Sequence, residues 1–379
     1  MRIHHVLPHF YPEKGGAESN LLGLARYLAG RGHEVVVHTS RRTIQGGLLP
    51  ERDELDGIQI RRYRPSLRLG YYATLFRPAV RDADVLHLHG YGFLTNDRVV
   101  RTARGSIPAV YSLLHGVAQP PPTATARAKR AVYDRVVGLR TLRQAEAIVP
   151  TSEADRPWLE ARRLPRERIH VLPAGIDLDA FQPGSPEKIR DRFGLATYVL
   201  FLGRLHREKS PDHLLRAIAS LGSAWSGQVV FAGPDGGERV SLERLARSLG
   251  LGDRVVFAGE VDETTKRDLL SGALCLVLPS FYEAQGIVIA EAWAQGRPVI
   301  ASRVGGIPYM VNDGRDGLLY SHGDVAALAA CLRRIAENPS VALEMGRAGR
   351  DRARSLTWEA IAPRYEELYE SLVGQPTRD

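Results

Sequence analysis

Cysteine is scarce in this chain, since its 379 residues include only Cys275 and Cys331. Both lie in apolar stretches, which predicts reduced core thiols and excludes a disulfide framework. Long apolar runs are also missing, so the sequence predicts no membrane-spanning helix. Residues 1–7 are too polar and too short for the apolar part of a signal peptide, and we expect a first strand there. These absences together predict a cytoplasmic protein.

Metal and dinucleotide signatures are missing as well. The chain has no Gly-x-Gly-x-x-Gly motif, which disfavours a nicotinamide-dependent oxidoreductase. Its 12 histidines do not show metal-site spacing with cysteines or carboxylates. The Asp-x-Asp pairs at 82–84 and 177–179 precede a strand or connect the two halves, so we interpret both as structural. We therefore predict no metal ion and no cofactor.

The net charge of +8 comes from the first half of the chain. Residues 1–180 carry the excess of Lys and Arg, and the segment 97–143 is its densest part. Such a segment is either an ordinary solvated surface or one that attracts an anionic acceptor or membrane. Stacking aromatics do not alternate with these charges, which counts against nucleic acid. Peripheral contact with an anionic membrane, at its inner face, is left open.

Short apolar segments alternate with helical periods along the chain. The apolar segments predict strands over 3–8, 35–37, 84–88, 109–112, 147–150, 169–172, 198–202, 229–232, 255–257, 274–278 and 298–300. The periodic segments predict helices over 18–31, 212–221, 241–249, 287–294, 324–337 and 358–373. Apolar strands that alternate with helices are typical of parallel sheets covered on both faces.

A segment with several glycines and prolines, 174–192, separates two such series. We therefore predict an α/β fold of two doubly wound, Rossmann-like domains that face each other across a cleft. Their predicted extents are 1–180 and 181–357, and a last helix in 358–379 crosses back to the first domain. Ligands of such sheets bind at the carboxyl ends of the strands, which places the expected site in the cleft.

Two glutamates surround the predicted start of helix 287–294. Glu283 lies in the turn after a strand, and Glu291 lies one to two turns inside the helix that Gly286 opens. Backbone N–H groups near Gly286 and Ile287 form an anion site at this helix start. The carboxylates can accept hydrogen bonds from sugar and ribose hydroxyls, and a nucleotide sugar offers phosphates and polyols in that order. A capping or surface pair of glutamates is the alternative.

The Glu-x7-Glu spacing after an apolar strand and Pro-Ser resembles the signature of retaining GT-B glycosyltransferases of the mannosyl/glucosyl transferase group, family 4. Further segments resemble that family in the same order, at 15–18, 173–177, 201–205, 208–209, 256–259 and 305–308. The resemblance covers nearly the whole chain. It implies a GT-B hexosyltransferase that moves a hexose-type sugar, with retention, from a GDP- or UDP-linked donor to an acceptor hydroxyl.

Four residues would carry the reaction's charges and donor contacts. Arg204 and Lys209 follow a strand end, where they can stabilise the negative charge that develops on the leaving diphosphate. By resemblance, Glu283 would contact the donor sugar and Glu291 the ribose. The resemblance implies retention, and because the sequence offers no evident carboxylate nucleophile, we expect substitution on one face of the sugar.

Other contacts are implied more weakly. The stretch with Val256 and Gly259 would lie near the base, and the loop with Gly15 and Gly16 near the donor diphosphate and the acceptor. His115 follows a predicted strand and would position the reacting sugar.

His87 and His89 are second candidates for that role, and a hydrogen-bonded loop histidine is the alternative.

The family usually has Glu where this chain has Tyr309, which leaves open an altered donor or a non-catalytic nucleotide-sugar binder. A GT-B sugar phosphorylase is a further alternative.

The acceptor, whether a sugar, a lipid-linked sugar or a small molecule, would be bound by the first domain. The segment 61–81, which includes Tyr71 and Tyr72, would line that site or form a plain surface loop.

Overall fold

The computed structural model describes residues 1–13, 15–69, 73–121 and 123–374, so Tyr71, Tyr72 and residues 375–379 lie outside the described residues. The chain divides into two compact units. Unit 1 comprises Met1–Gly175 and Trp358–Asp379, and unit 2 comprises Ile176–Thr357. The division falls after Gly175, whereas the sequence prediction placed it after residue 180. Among the described residues, no helix combines the length and apolarity needed to cross a membrane.

The strands of the described residues are numbered in chain order. They are β1 Arg2–Val6, β2 Glu34–Ser40, β3 Arg52–Leu55, β4 Ile58–Tyr63, β5 Leu67–Leu69, β6 Ala73–Leu75, β7 Val85–His89, β8 Ala109–Leu113, β9 Ala147–Pro150, β10 Tyr198–Leu202, β11 Gln228–Ala232, β12 Val255–Gly259, β13 Leu276–Leu278, β14 Val299–Ser302 and β15 Gly317–Tyr320.

The α-helices are numbered in the same way. They are α1 Gly16–Gly30, α2 Leu94–Ala103, α3 Ala124–Tyr133, α4 Leu139–Gln144, α5 Arg156–Ala161, α6 Pro186–Phe193, α7 Pro211–Leu221, α8 Arg239–Ser248, α9 Glu263–Gly272, α10 Ile287–Ala294, α11 Ile307–Met310, α12 Val325–Glu337, α13 Pro339–Ala353 and α14 Trp358–Val373.

Unit 1 is built on a sheet with the strand order β3-β4-β2-β1-β7-β8-β9. All neighbours are parallel except β3 and β4, which form an antiparallel edge pair. Strands β7 and β8 are buried along their whole length, as expected when helices cover both faces of a parallel sheet. Helix α1 buries Leu21, Leu24 and Leu28, which lie three or four residues apart on one face.

Helix α14 belongs to unit 1, although it follows unit 2 in the chain. It buries Tyr365 and Tyr369, and the hydroxyl of Tyr369 lies 2.6 Å from Nδ1 of His87 in β7. A guanidinium nitrogen of Arg364 donates to the carbonyl of Val171 at 3.1 Å. These contacts anchor the last helix on the first sheet.

Unit 2 is built on a parallel sheet with the order β12-β11-β10-β13-β14-β15. Apolar side chains cover both faces: one cluster includes Leu200 and Leu276, and the other includes Phe201 and Val277. The chain moves outward from β10 in one direction and returns to its other side at β13, which makes the β10/β13 boundary a topological switch point. Ligands of open α/β sheets bind at such a point.

The predicted strand over 169–172 is wrong. This segment runs beside β9, with one isolated bridge between Ile148 and Ile169 and two backbone hydrogen bonds, His170 N to Ile148 O and Leu172 N to Pro150 O. It then continues as irregular chain toward Gly175 instead of forming a regular ladder.

Candidate active site

The loops that follow β10 and β13 bring together two of the predicted site residues. Lys209 ends a short 3₁₀ turn after β10, and Glu283 lies in the loop between β13 and α10. The ammonium of Lys209 lies 2.5 Å from Oε1 of Glu283. The two loops are also joined through their backbones, because Phe281 N–H donates to the carbonyl of Glu208 at 2.8 Å. The centre of this cluster therefore lies at the topological switch point.

Glu283 is fixed on several sides. The Ser280 hydroxyl donates to the same carboxylate oxygen at 2.8 Å, and the Ser302 hydroxyl donates to the Ser280 carbonyl at 2.5 Å. Gly306 N–H donates to the Glu283 carbonyl at 3.0 Å. Gly305 has a φ of +51°, and a β-carbon there would collide with that carbonyl. The loop after β14 therefore supports Glu283 only because residue 305 is glycine.

The Lys209–Glu283 pair is partly removed from water but still reachable. The side chain of Lys209 is 25% exposed and that of Glu283 is 12% exposed. Such a partly buried pair interacts more strongly than a surface pair, and it also loses more when one partner is removed. A lysine ammonium has three N–H donors, so contact with Glu283 leaves donors for a bound anion.

Gly286 opens helix α10 in a left-handed conformation, with a φ of +83°. A β-carbon there would press on Leu278 and Ile289, at 3.3 and 3.1 Å. Glycine therefore allows the chain to turn sharply from β13 into a buried helix. The first N–H groups of α10, including that of Ile287, form the helix start that the sequence predicted as an anion site.

A second ion-pair group holds Glu291, one of the predicted donor contacts. The ammonium of Lys266 in α9 lies 2.6 Å from Oε1 of Glu291 and 2.6 Å from Oε2 of Glu263. Burial opposes the charge on Lys266, but the two carboxylates outweigh it and raise the pKa of this lysine. Burial raises the pKa of Glu291, and Lys266 acts in the opposite direction. Lys266 was not singled out by sequence analysis.

Arg204 begins the same loop as Lys209 and is exposed. Among the described residues, its guanidinium has no hydrogen-bond or ion-pair partner. The structure therefore does not join Arg204 to the Lys209–Glu283 pair, and its predicted contact with the diphosphate stays a prediction.

Val256 and Gly259 lie on β12, the edge strand of the unit 2 sheet. Val256 packs against the apolar core, and the Gly259 carbonyl accepts a hydrogen bond from Gly233 N–H at 2.7 Å. Their predicted position near the base stays a prediction.

The remaining predicted residues lie in unit 1, at the carboxyl ends of its strands. Gly15 and Gly16 connect β1 to α1, and Gly15 is the N-cap residue of that helix. His115 lies two residues after β8 and is half-buried. Strands β1 and β8 are separated by β7, so these loops leave the sheet roughly 10 Å apart.

His87 and His89 lie at the end of β7, as the sequence predicted, but inside the sheet. Both are fully buried, and their ring nitrogens lie with one of His5 within 4.8 Å of one another. Hydroxyl groups of Tyr369 and Ser112 lie 2.6 Å from the two ring nitrogens of His87. Nδ1 of His5 lies 3.0 Å from Nε2 of His89. These histidines therefore form a hydrogen-bonded network inside the sheet, and they do not lie in a loop that meets a substrate.

This grouping was missed because its members come from two strands far apart in sequence. His87 uses both ring nitrogens in hydrogen bonds, so a metal ion would first have to displace its hydroxyl partners. The absence of a required metal stays a prediction.

The two Rossmann-like units and the matches to solved glycosyltransferases identify the fold as GT-B. Sucrose-phosphate synthase from Thermosynechococcus elongatus matches this structure with a TM-score of 0.81, at 26% identity over 98% of each chain. HepE from Anabaena, in complex with UDP-glucose, matches with a TM-score of 0.76, at 20% identity over 98% of this chain and all of the other.

The sequence comparisons identify the family within that class. Residues 14–180 match the model of Glycosyltransferase Family 4, and residues 187–352 match that of Glycosyl transferases group 1. D-inositol 3-phosphate glycosyltransferase 2 of Catenulispora acidiphila is 30% identical over 96% of this chain and 92% of the relative. This chain therefore belongs to the family 4, or group 1, glycosyltransferases.

Proposed function

We propose that this enzyme transfers a hexose-type sugar from a nucleoside-diphosphate donor to an acceptor hydroxyl, with retention at the anomeric carbon. The observation that carries the proposal is the 2.5 Å contact between Lys209 and Glu283 beside the start of α10. Here a cation and helix N–H groups can bind a diphosphate, and the carboxylate beside them can accept hydrogen bonds from a polyol. This combination suits a molecule in which a diphosphate is joined to a sugar.

In this proposal the donor phosphates lie against the start of α10 and the free N–H bonds of Lys209. Arg204, at the other end of the same loop, adds a second cation. As the bond between the anomeric carbon and the phosphate oxygen breaks, these groups stabilise the charge left on the diphosphate. Glu283 accepts hydrogen bonds from the sugar hydroxyls and orients the sugar for attack.

The acceptor hydroxyl approaches the face from which the diphosphate leaves. A new bond forms between its oxygen and the anomeric carbon, and its proton passes to the departing phosphate oxygen. No protein carboxylate forms a covalent intermediate, and no metal or cofactor takes part. Transfer should therefore be unaffected by a chelator such as EDTA.

The relatives guide the choice of test compounds. HepE binds UDP-glucose, which supports UDP-linked donors, and GDP-mannose provides the alternative base and sugar. The relative from Catenulispora acidiphila is named for D-inositol 3-phosphate, and it covers nearly the whole of this chain. A phosphorylated polyol is therefore the first acceptor to test, before sugars and lipid-linked sugars.

The test is transfer by the purified full chain, with the anomeric configuration of the product read by proton NMR. The expected product has the same configuration as the donor. Inversion would contradict the retaining mechanism, and donor binding without transfer or hydrolysis would favour a non-catalytic binder. Sugar release that requires added inorganic phosphate would instead identify a phosphorylase.

Peripheral contact with an anionic membrane is supported by a surface of unit 1. Helix α3 has no buried residue, and Val132 and Val136 are exposed one turn apart. Lys129 and Arg135 are exposed beside them. Apolar side chains flanked by cations suit an anionic lipid surface. Sedimentation with phosphatidylglycerol vesicles, but not with phosphatidylcholine vesicles, is expected. Equal sedimentation of wild type and the Val132→Ser/Val136→Ser variant would contradict this contact.

A further inference from the structure

Lys266 is the one charged side chain in hydrogen-bond contact with the Glu291 carboxylate among the described residues. It lies in the first turns of α9. Asp262 caps the start of this helix, because its side chain accepts a hydrogen bond from Thr265 N–H at 2.7 Å. The cap fixes the helix, and the helix fixes the origin of the lysine side chain.

The two carboxylates that share Lys266 are not equivalent. Glu291 is 17% exposed, whereas Glu263 is 85% exposed. An exposed pair in one helix contributes little to stability, because water solvates both charges. By contrast, a carboxylate that is shielded from water and has no cation beside it lowers the free energy of unfolding. The main effect of Lys266 is therefore on Glu291.

The contact also fixes the direction of the carboxylate. The ammonium binds Oε1 of Glu291 at 2.6 Å, so rotation of the carboxylate is restricted by a charge-assisted hydrogen bond. A carboxylate held in this way can accept hydrogen bonds from a neighbouring diol, and its side chain loses little further conformational freedom on binding.

We propose that Lys266 is a positioning residue that holds the Glu291 carboxylate for the ribose hydroxyls of the donor nucleotide. This inference rests on the proposed function, which assigns the ribose to Glu291. Lys266 acts through Glu291 and does not bind the phosphates. Its removal should therefore weaken recognition of the ribose specifically.

The test compares binding of UDP and GDP with that of their 2′-deoxy and 3′-deoxy forms, by titration calorimetry on the full chain. A hydrogen bond to a charged group supports a preference of about tenfold or more for the ribonucleotide in wild type. In Lys266→Met that preference should fall to about twofold or less, and Lys266→Arg should restore most of it. Glu263→Gln is the matched control, because it removes the exposed partner of the same lysine and should leave the preference unchanged.

Lys266→Met leaves Glu291 without its cation, so it risks misfolding. Glu291→Gln and the double variant Lys266→Met/Glu291→Gln leave no uncompensated carboxylate at position 291, and they complete a double-mutant cycle. If Lys266 acts through Glu291, its removal has no further effect on the preference in the Glu291→Gln background. A further loss there, or equal weakening of ribo and deoxy forms in Lys266→Met, would overturn the proposal.

The failures of the two proposals are distinguishable. Sugar transfer with an unchanged preference in Lys266→Met would overturn only the role of Lys266. Nucleotide binding without transfer would overturn the proposed function while the binding ratios still decide the role of Lys266. A wild-type chain that binds neither UDP nor GDP would overturn both.

Discussion

The central strands of unit 1 carry five buried histidines, whereas the strands β10 to β15 of unit 2 carry none. These histidines are His4, His5, His38, His87 and His89. Unit 2 places its polar groups in loops beyond the strand ends, where Lys209 and Glu283 neutralise each other. Unit 1 places polar groups inside the sheet, where hydrogen bonds between neutral rings replace charge pairs. The polar groups of the unit 2 loops are therefore available to a ligand, whereas the buried histidines of unit 1 belong to its core.

Acid should have the largest effect on the difference between the two units, because it should destabilise unit 1. Burial lowers the pKa of His4 to about 4 and that of His5 to about 3, and it lowers the pKa of His38, His87 and His89 as well. A lowered folded-state pKa means that the unfolded chain binds more protons. The stability is therefore complete above pH 6.5 and is lost as the pH falls toward 4. His4 alone corresponds to roughly 3 kcal/mol.

Hydrogen exchange at pH 7 and pH 4.5 would measure this effect. Amides of β1 and β7 should lose protection well before those of β10 and β13. His4→Asn, which cannot become charged in this range, should reduce the acid dependence. Earlier loss of protection in unit 2 would contradict the interpretation.

Removal of either member of the Lys209–Glu283 pair should have the next largest effect. Lys209→Ala or Glu283→Ala should lower kcat/KM by about 100-fold or more, the scale of losing one charge-stabilising donor. Glu208→Ala is the control, because Glu208 is adjacent in sequence and its side chain is mostly exposed. Near-normal turnover in both pair variants, measured by release of the nucleoside diphosphate, would show that the pair is not part of the reaction.

Gly305→Ala should lower activity by a smaller factor. The added methyl group meets the Glu283 carbonyl, and the φ of +51° is unfavourable for alanine. Such strain costs about 1–3 kcal/mol, so about a tenfold loss of kcat/KM is expected as Glu283 shifts. Gly306→Ala is the matched control, since its φ of −79° suits any residue. Equal effects of the two substitutions would argue against support of Glu283 by residue 305.

Ser280→Ala should have the smallest effect of this series. It removes one donor to Oε1 of Glu283, while Lys209 continues to hold the same oxygen. We expect about a fivefold loss of kcat/KM, the scale of one hydrogen bond. A loss as large as that of Glu283→Ala would mean that the serine itself acts on the substrate.

In unit 2, apolar runs and helical periods predicted strands β10 to β14 and helices α7, α8, α10 and α12. They did not predict β15, α6, α9, α11 or α13. The helix at 287–294 was predicted with the bounds of α10, and the helix at 358–373 was predicted with those of α14, which belongs to unit 1. The edge pair β3–β4 was missed because β3 begins with three consecutive charged residues, Arg52, Asp53 and Glu54, and has no apolar run. Helix α3 was missed because none of its residues is buried, and it is a buried face that gives a helix its period of apolar residues.

The candidate site was predictable only as far as the family motif reaches. The motif indicated Lys209 and Glu283, and the structure brings them into contact. Lys266 lies 25 residues before Glu291 on another helix, and no local pattern relates the two. The histidine network was equally hidden, because parallel strands bring together residues such as His5 and His89 that are 84 positions apart.

Because α14 follows the whole of unit 2 in the chain, unit 1 cannot reach its final structure until all of unit 2 has been synthesised. On the ribosome, unit 2 has all its strands before the hydroxyl of Tyr369 can reach His87. Until then the first sheet exposes the face that α14 covers, including a histidine that lacks this partner. Translation that stops before Trp358 therefore leaves unit 1 without the helix that covers its sheet, although all residues of unit 2 have been synthesised.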